Sequence, residues 1–178
     1  MIGSRGVGKT CLANRMGFNT FDVDTKLTIG VTFYTYDIPI IVKGFESFVR
    51  ATIWVFGEGE QFKKLFPSYI SGANGIFLVF DLSQMQTLLD LDWWYNKIVE
   101  YHKENCPKML IGTKLDLIDQ ESEQHRNDEL VIKHFLNSHE QMDFIQISAK
   151  ENINVQNIFK QMVEKILNTC KLEYDKIP

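Results

Sequence analysis

A glycine-rich segment near the N-terminus constrains this chain more than any other feature. Residues 3–10 read Gly-Ser-Arg-Gly-Val-Gly-Lys-Thr and match the pattern G-x-x-x-x-G-K-[ST]. Glycines permit positive φ angles, so backbone N–H groups and the start of a following helix can converge on an anion. Lys9 is then placed to meet the β and γ phosphates, and the Thr10 hydroxyl to coordinate Mg²⁺. The segment predicts a phosphate-binding loop. Alone it does not show whether the loop binds ATP or GTP, and a glycine-rich turn without a ligand remains the alternative.

The hydrophobic pattern predicts an α/β fold. Short apolar runs alternate with segments of helical period, as expected for helices interleaved with a mostly parallel sheet. We expect buried strands at 75–82, 108–112 and 144–147, helices at 8–16, 87–102, 128–137 and 155–169, and a solvated loop at 119–128. Residues 32–42 and 48–56 predict a β-hairpin around Lys43-Gly44.

Length and composition limit the kinds of protein that this chain can be. The 178 residues are enough for one domain, expected at 1–170 with a short tail at 171–178. A net charge of −4 argues against a basic face of the kind that binds nucleic acid. The three cysteines are too scattered for a disulfide framework or a zinc site, and no apolar run is long enough to span a membrane. We therefore expect a cytoplasmic protein that does not bind nucleic acid.

Two further motifs indicate which nucleotide is bound. Thr113-Lys114-Leu115-Asp116 follows the predicted strand at 108–112, and Ser148-Ala149-Lys150 follows the strand at 144–147. A carboxylate such as Asp116 can accept hydrogen bonds from the N1–H and 2-amino groups of guanine, a pair that adenine lacks. With the phosphate loop, these motifs resemble the Ras superfamily of small GTPases, in which [NT]-K-x-D and S-A-K recognise guanine.

The resemblance implies a fold, a ligand set and partners. The fold is a three-layer Ras-like G domain with a six-stranded, mostly parallel sheet and one antiparallel edge strand. Its nucleotide is GTP or GDP with Mg²⁺, and residues 27–33, Leu-Thr-Ile-Gly-Val-Thr-Phe, resemble the first switch of Rab-like members. Thr10 and Thr28 would hold the metal, and Phe21 would pack against guanine. The implied nucleotide-binding residues are Gly3, Ser4, Arg5, Gly6, Val7, Gly8, Lys9, Thr10, Cys11, Phe21, Thr28, Thr113, Lys114, Asp116, Leu117, Ser148, Ala149 and Lys150. The implied partners are effector, exchange and activator proteins that bind a monomer through residues 25–33 and 55–66.

The second switch departs from the family pattern W-D-x-x-G-Q-E. With Trp54 and Phe62 as anchors, Val55 replaces the aspartate that holds Mg²⁺ through water. Glu58 replaces the glycine that senses the γ phosphate, and Gly59 replaces the glutamine that orients the attacking water. A shifted register could put Gly59 or Gln61 in a useful place, but no shift restores all three groups. No catalytic residue can be assigned, and we expect slow GTP hydrolysis. The alternative is a pseudo-GTPase that holds nucleotide as a scaffold.

Three other features stand apart from the family pattern. Arg5 occupies a loop position where a small residue is usual, and it could crowd an incoming activator, which we favour, or supply a positive charge in cis.

Only Met1 and Ile2 precede the loop, whereas a central strand needs about five or six residues. We expect a chain that begins earlier, the alternative being a sheet without its middle strand. The C-terminal residues form no C-a-a-X box, so prenylation is not expected.

Overall fold

The computed structural model describes residues 1–22, 28, 30–57, 66–101, 106–140 and 142–178. The strands are β1 (Val31–Val42), β2 (Phe45–Phe56), β3 (Ile76–Asp81), β4 (Lys108–Thr113) and β5 (Asp143–Gln146). The helices are α1 (Lys9–Phe18), α2 (Gln86–Leu89), α3 (Leu91–Tyr101), α4 (Glu123–Ser138) and α5 (Val155–Thr169), with a 3₁₀ turn at Leu115–Leu117 and helical backbone at 66–70. The predicted α/β class is confirmed.

These strands form two sheets. β1 and β2 pair antiparallel as a hairpin, with Val31 opposite Phe56 and a turn at Lys43 and Gly44, both of which adopt positive φ. β3, β4 and β5 pair in parallel in that order. Because parallel strands need a crossover between them, this arrangement follows from the alternation of apolar runs and helices in the sequence.

The two residues before the phosphate loop connect these sheets. The Met1 amine donates to the Trp54 carbonyl oxygen at 2.6 Å, and the Phe56 N–H donates to the Met1 carbonyl oxygen at 3.2 Å. On the other side, Ile2 forms a parallel bridge with Leu78 of β3. The resemblance implies one six-stranded sheet, whereas the described strands form two sheets joined through this two-residue stretch, which is all of the expected first strand that the chain contains.

The core lies on both faces of the parallel sheet. Consecutive β3 residues face opposite sides, Val79 toward α1 and α5 and Leu78 toward α3 and α4. One face of the sheet is covered by the apolar stripes of α1 and α5, which are Leu12, Ala13 and Met16 and Val155, Ile158, Phe159, Met162 and Val163. The other face is covered by Leu91 and Trp94 of α3 and by Ile132 and Phe135 of α4. A strand covered on both faces must be apolar throughout, which explains the uninterrupted run at 75–82.

Two predicted boundaries are wrong. Residues 119–128 are not a loop throughout, because α4 begins at Glu123, where the Ser122 side chain accepts a hydrogen bond from the His125 N–H and caps the helix. The helix predicted at 87–102 is divided into α2 and α3 at Asp90.

The C-terminal residues pack against the hairpin. The Asp175 N–H donates to the Ile41 carbonyl oxygen at 2.8 Å, and the Ile41 N–H donates to the Lys176 carbonyl oxygen at 2.9 Å. Ile177 is buried in the core beyond them. Within the described ranges, no helix has the length and apolar character needed to cross a bilayer.

Candidate functional site

A cleft of about 500 Å³ lies where the phosphate loop meets the segments that follow β4 and β5. Ligands of open α/β sheets bind at these carboxyl ends of the strands. Most of the residues expected to bind nucleotide line this cleft: Arg5, Gly6, Gly8, Lys9, Thr10, Cys11, Phe21, Thr28, Thr113, Lys114, Asp116, Leu117, Ala149 and Lys150. Three segments that are distant in sequence therefore form one cavity.

The phosphate loop has the backbone that the glycines were expected to permit. Gly6 and Gly8 have φ angles of 80° and 92°, and α1 begins immediately afterwards. Lys9 is only 6% exposed, and its Nζ donates to the carbonyl oxygens of Gly3 at 2.7 Å and Ser4 at 2.9 Å. The loop therefore holds its own ammonium group beside the N-terminus of a helix, where an anion is stabilised.

The segment after β4 is fixed to the loop and to β3. The Thr113 hydroxyl oxygen lies 2.6 Å from the Val7 carbonyl oxygen and 2.9 Å from that of Phe80. The Lys114 Nζ lies 2.6 Å from a carboxylate oxygen of Asp81, which is 1% exposed. Thr113 thus joins the phosphate loop and β3 through its hydroxyl contacts.

Asp116 is oriented by the segment after β5. Its Oδ1 accepts a hydrogen bond of 2.5 Å from the hydroxyl of Ser148, which is fully buried. Its Oδ2 lies 4.0 Å from the Lys150 Nζ. A carboxylate oxygen has more than one lone pair, so Oδ1 can hold Ser148 while both oxygens accept donors from a ligand in the cleft.

Arg15 positions the segment after β5 from α1. Its Nε donates to the Ala149 carbonyl oxygen at 2.7 Å, and its Nη2 to that of Lys150 at 3.1 Å. Its Nη1 donates to the Asn19 carbonyl oxygen at 2.8 Å. The sequence analysis missed Arg15; its only local signal is a basic residue in the last turn of a helix, which does not indicate a partner.

The segment around Thr28 is held close to the end of β2. The Thr10 and Thr28 hydroxyl oxygens lie 2.6 Å apart, and the Gly57 N–H donates to the Gly30 carbonyl oxygen at 2.8 Å. A Cβ added to Gly57 would lie 2.4 Å from the Thr28 carbonyl oxygen, well inside van der Waals contact. Only glycine at position 57 lets the end of β2 lie this close to the Thr28 carbonyl oxygen.

The two threonine hydroxyls fit part of a magnesium site. Neighbouring hard oxygens are the ligands that Mg²⁺ takes from proteins, usually with water and substrate phosphates completing the shell. Val55, which the sequence analysis expects at the position of the family's metal-binding aspartate, is buried in the apolar core, and its side chain offers no oxygen. Within the described ranges there is also no cluster of three or more histidine, cysteine, aspartate and glutamate side chains that could hold a metal.

The other predicted residues lie behind the cleft or outside the described residues. Gly3, Ser4, Val7 and Ser148 are buried behind its wall, and the Ser4 hydroxyl donates to Asp90 at 2.9 Å. Residues 25–27, 29 and 58–65 of the expected switches lie outside the described residues. Asp22 and Gly57 line the cleft, and Asp81 supports it, although the sequence analysis assigned none of them a role in nucleotide binding.

The charges of the cleft favour a polyanion. Arg5, Lys9, Lys114 and Lys150 line it, against the carboxylates of Asp22 and Asp116. The chain as a whole is acidic, with a net charge of −4. Asp81 pairs with Lys114, so the remaining positive charge of the cleft is small, and it adds to the helix N-terminus that favours anions.

Comparison with known proteins supports the same assignment. The model of the Ras family matches residues 1–168. Ras-related protein Rab-18 of Lymnaea stagnalis is 37% identical over 170 residues, which cover 95% of this chain and 79% of that protein. Rab-18-B of Danio rerio is 36% identical with 95% and 78% covered, and Rab-12 of Mus musculus is 34% identical with 97% and 68% covered. This chain therefore belongs to the Ras family of small GTPases and is Rab-like.

Proposed function

We propose that this chain is a guanine-nucleotide switch that cycles between GTP and GDP with Mg²⁺ and hydrolyses GTP slowly. The observation that carries the proposal is that Asp116 and Lys9 line one cleft of about 500 Å³. A purine-reading carboxylate and a phosphate-binding ammonium are thereby available to a single ligand. We propose residues 1–170 as the nucleotide domain.

Each wall of the cleft has a part in binding. Asp116 accepts the N1–H and 2-amino protons of guanine, with Ser148 fixing one of its oxygens. Lys114 packs along the base plane, and the Ala149 N–H donates to the guanine oxygen. Arg15 is a positioning residue, because it holds the Ala149 carbonyl oxygen at 2.7 Å and thereby the backbone beside the base. Phe21 lines the cleft and would contact the guanine ring.

The metal would be held mainly by two hydroxyls. Thr10 and Thr28 would separate slightly from their 2.6 Å contact to coordinate Mg²⁺, which neutralises charge on the β and γ phosphates when bound. Because Val55 replaces a carboxylate, we expect weaker Mg²⁺ retention than in members that have the aspartate.

Slow hydrolysis follows from missing positioning groups. Phosphoryl transfer on this fold depends on placing the water and stabilising charge, and Gly59 has no side chain that could orient the water. Arg5, within the phosphate loop, lines the cleft, and we propose that its bulk crowds an incoming activator. Single-turnover hydrolysis of bound GTP tests this account. A rate equal to that of a glutamine-bearing family member would contradict it.

The switch would act through other proteins. We propose that residues 25–33 and 55–66 bind effector, exchange and activator proteins, and that the chain is a cytoplasmic monomer brought to membranes by such partners. Nucleic acid is not a proposed ligand, because the chain as a whole is acidic, with a net charge of −4.

The second candidate is a pseudo-GTPase scaffold, favoured by the buried apolar side chain of Val55. The two candidates differ in their response to the γ phosphate. For a switch, hydrogen exchange across residues 25–33 should differ between GDP and a non-hydrolysable GTP analogue. Equal exchange in both complexes would favour the scaffold. In either case GDP should outcompete ATP, and effective competition by ATP would contradict both.

A further inference from the structure

Asp81 is a buried carboxylate to which the proposed function gives no part in nucleotide binding. It is the last residue of β3 and pairs in register with Thr113, the last residue of β4. Asp81 is almost fully buried, whereas Lys114, the residue that follows β4, lines the nucleotide cleft. The carboxylate therefore lies behind the wall of the cleft that is proposed to face the base.

Hydrogen bonds fix the orientation of this carboxylate. Its Oδ1 accepts from the Ser83 N–H at 2.9 Å and from the Ser83 hydroxyl at 2.7 Å. The Asp81 N–H donates to the Thr87 hydroxyl oxygen at 2.9 Å, which holds the backbone of the same residue. Its Oδ2 then lies 2.6 Å from the Lys114 Nζ. The turn after β3 thus directs one carboxylate oxygen at one ammonium group.

Lys114 is also held at its backbone. Its φ angle is 60°, a left-handed conformation that costs free energy in a residue with a side chain. The preceding residue is fixed by the contact of the Thr113 hydroxyl with the Val7 carbonyl oxygen. The following residue is fixed by a hydrogen bond of 3.0 Å from the Leu115 N–H to the Ile147 carbonyl oxygen. Because backbone and ammonium are both held, the methylene chain between them is fixed along the wall of the cleft.

The stability of the fold does not account for this ion pair. Taking two charges out of water costs free energy of similar size to their attraction, so apolar residues in place of a buried pair are often equally stable. The two side chains are also buried unequally, with 1% of Asp81 and 33% of Lys114 exposed. What the pair supplies is a fixed position for a positive charge at the edge of the cleft.

A second carboxylate makes the position of this charge important. Asp116, which is proposed to read guanine, lines the same cleft two residues after Lys114. An ammonium group that paired with Asp116 would occupy the oxygens that accept the guanine protons. The Ser148 hydroxyl uses one lone pair of Asp116, and Lys150 lies 4.0 Å from its other oxygen, so acceptor positions stay open to a ligand. Lys114 is kept out of this competition because Asp81 holds it.

We propose that Asp81 is a positioning residue for guanine recognition, which holds the Lys114 ammonium behind the base and away from Asp116. The lysine stem is thereby set along the base plane, and the Asp116 oxygens are left free for guanine. This inference rests on the proposed function, because it concerns a nucleotide bound in the same cleft. Asp81 does not line the cleft and acts through Lys114. Loss of its charge should therefore weaken nucleotide retention and reduce the preference for guanine.

The test compares Asp81→Asn with the wild-type chain, both loaded with labelled GDP. Asparagine keeps the shape and loses the charge, so GDP dissociation should accelerate about tenfold or more. The preference for GDP over inosine diphosphate, which lacks the 2-amino group, should also fall. Asp143→Asn is the matched control, because it breaks a 2.8 Å ion pair with Lys165 outside the cleft, and it should behave as wild type.

The outcomes separate this inference from the proposed function. If the wild-type chain retains GDP and Asp81→Asn retains it equally well, the positioning role of Asp81 is wrong and the proposed function stands. If the wild-type chain shows no preference for guanine nucleotides, both are wrong.

The variant Lys114→Met distinguishes positioning from a purely structural role. That variant has no ammonium to position, so adding Asp81→Asn should not accelerate GDP dissociation further. A role of Asp81 in the turn at Ser83 alone would accelerate dissociation by the same factor in both backgrounds, which would overturn the proposal. Adding Asp81→Asn should also raise the melting temperature of Lys114→Met, because it removes a buried charge whose partner is gone. A melting temperature that falls or stays the same would contradict the pairing.

Discussion

Arg15 and Ala149, 134 positions apart in the chain, are joined by a 2.7 Å hydrogen bond from Nε to the carbonyl oxygen. Arg15 lies on the helix that begins at the phosphate loop, and Ala149 lies in the segment proposed to meet the guanine oxygen. The contact therefore couples the helix that follows the phosphate loop to the segment proposed to hold the base. We expect such a link to affect how long nucleotide stays bound, although Arg15 itself does not line the cleft.

Replacing Arg15 with alanine should accelerate GDP dissociation. A hydrogen bond from a charged donor contributes about 1.5–3 kcal/mol, so loss of the Ala149 contact should increase the dissociation rate about tenfold or more. Displacement of a fluorescent GDP analogue measures it. Arg126→Ala, at an exposed position on α4, is the matched control and should leave the rate unchanged. Equal dissociation from both variants would remove the positioning role of Arg15.

Gly57→Ala should weaken nucleotide binding in a Mg²⁺-dependent way. The new methyl group would lie 2.4 Å from the Thr28 carbonyl oxygen and 2.8 Å from that of Gly30, so the segment bearing the Thr28 hydroxyl must shift. Titrating Mg²⁺ against GDP retention should show a higher metal requirement than in the wild type. Gly72→Ala, where an added Cβ meets nothing within 4 Å, should behave as wild type. An unchanged metal requirement for Gly57→Ala would exclude Thr28 as a metal ligand.

Restoring the second switch should require two changes together. Gly59→Gln alone should leave single-turnover GTP hydrolysis slow, because the metal-linked carboxylate is still missing. Gly59→Gln with Val55→Asp should accelerate it, with an unfolding cost of several kcal/mol because Val55 is buried among apolar side chains. Melting temperatures recorded with and without Mg²⁺ separate instability from lost catalysis. Acceleration by Gly59→Gln alone would show that Val55 does not stand at the aspartate position.

The three thiols should react at different rates. Burial raises the pKa of the Cys106 thiol to about 11, so this thiol should resist iodoacetamide at pH 8, whereas exposed Cys170 should react readily. Cys11 lines the nucleotide cleft, so GDP should slow its alkylation and leave Cys170 unaffected. Peptide mass spectrometry resolves the three sites. Alkylation of Cys11 that is insensitive to GDP would place the nucleotide elsewhere.

The same pKa shift has a consequence for stability. Between about pH 9 and 11 the unfolded Cys106 thiol loses its proton while the folded one keeps it. The folded state then binds more protons, so the free energy of unfolding falls as pH rises through this range. Urea unfolding of wild type and Cys106→Ala should show a shallower decline in the variant. Equal slopes would contradict the burial of the thiol.

The sequence predicted those features that depend on local pattern. α5 was predicted at the same residues, 155–169, because its apolar stripe is continuous, and the motifs after β4 and β5 meet because parallel strands end at one edge. The start of α4 was missed because it depends on the Ser122 cap rather than on periodicity. Arg15 and Asp81 were missed because their partners are distant in sequence and only the fold brings them together.

Base selectivity tests the central claim most directly. Asp116→Asn replaces one acceptor with a donor, which suits xanthine, whose C2 carbonyl stands where guanine has an amino group. We predict that the wild-type chain binds GDP far more tightly than xanthosine diphosphate and that Asp116→Asn reverses this order, as measured by competition against one labelled nucleotide. If Asp116→Asn keeps the wild-type preference for GDP, the carboxylate does not read the base, and the assignment of this cleft as the guanine site is wrong.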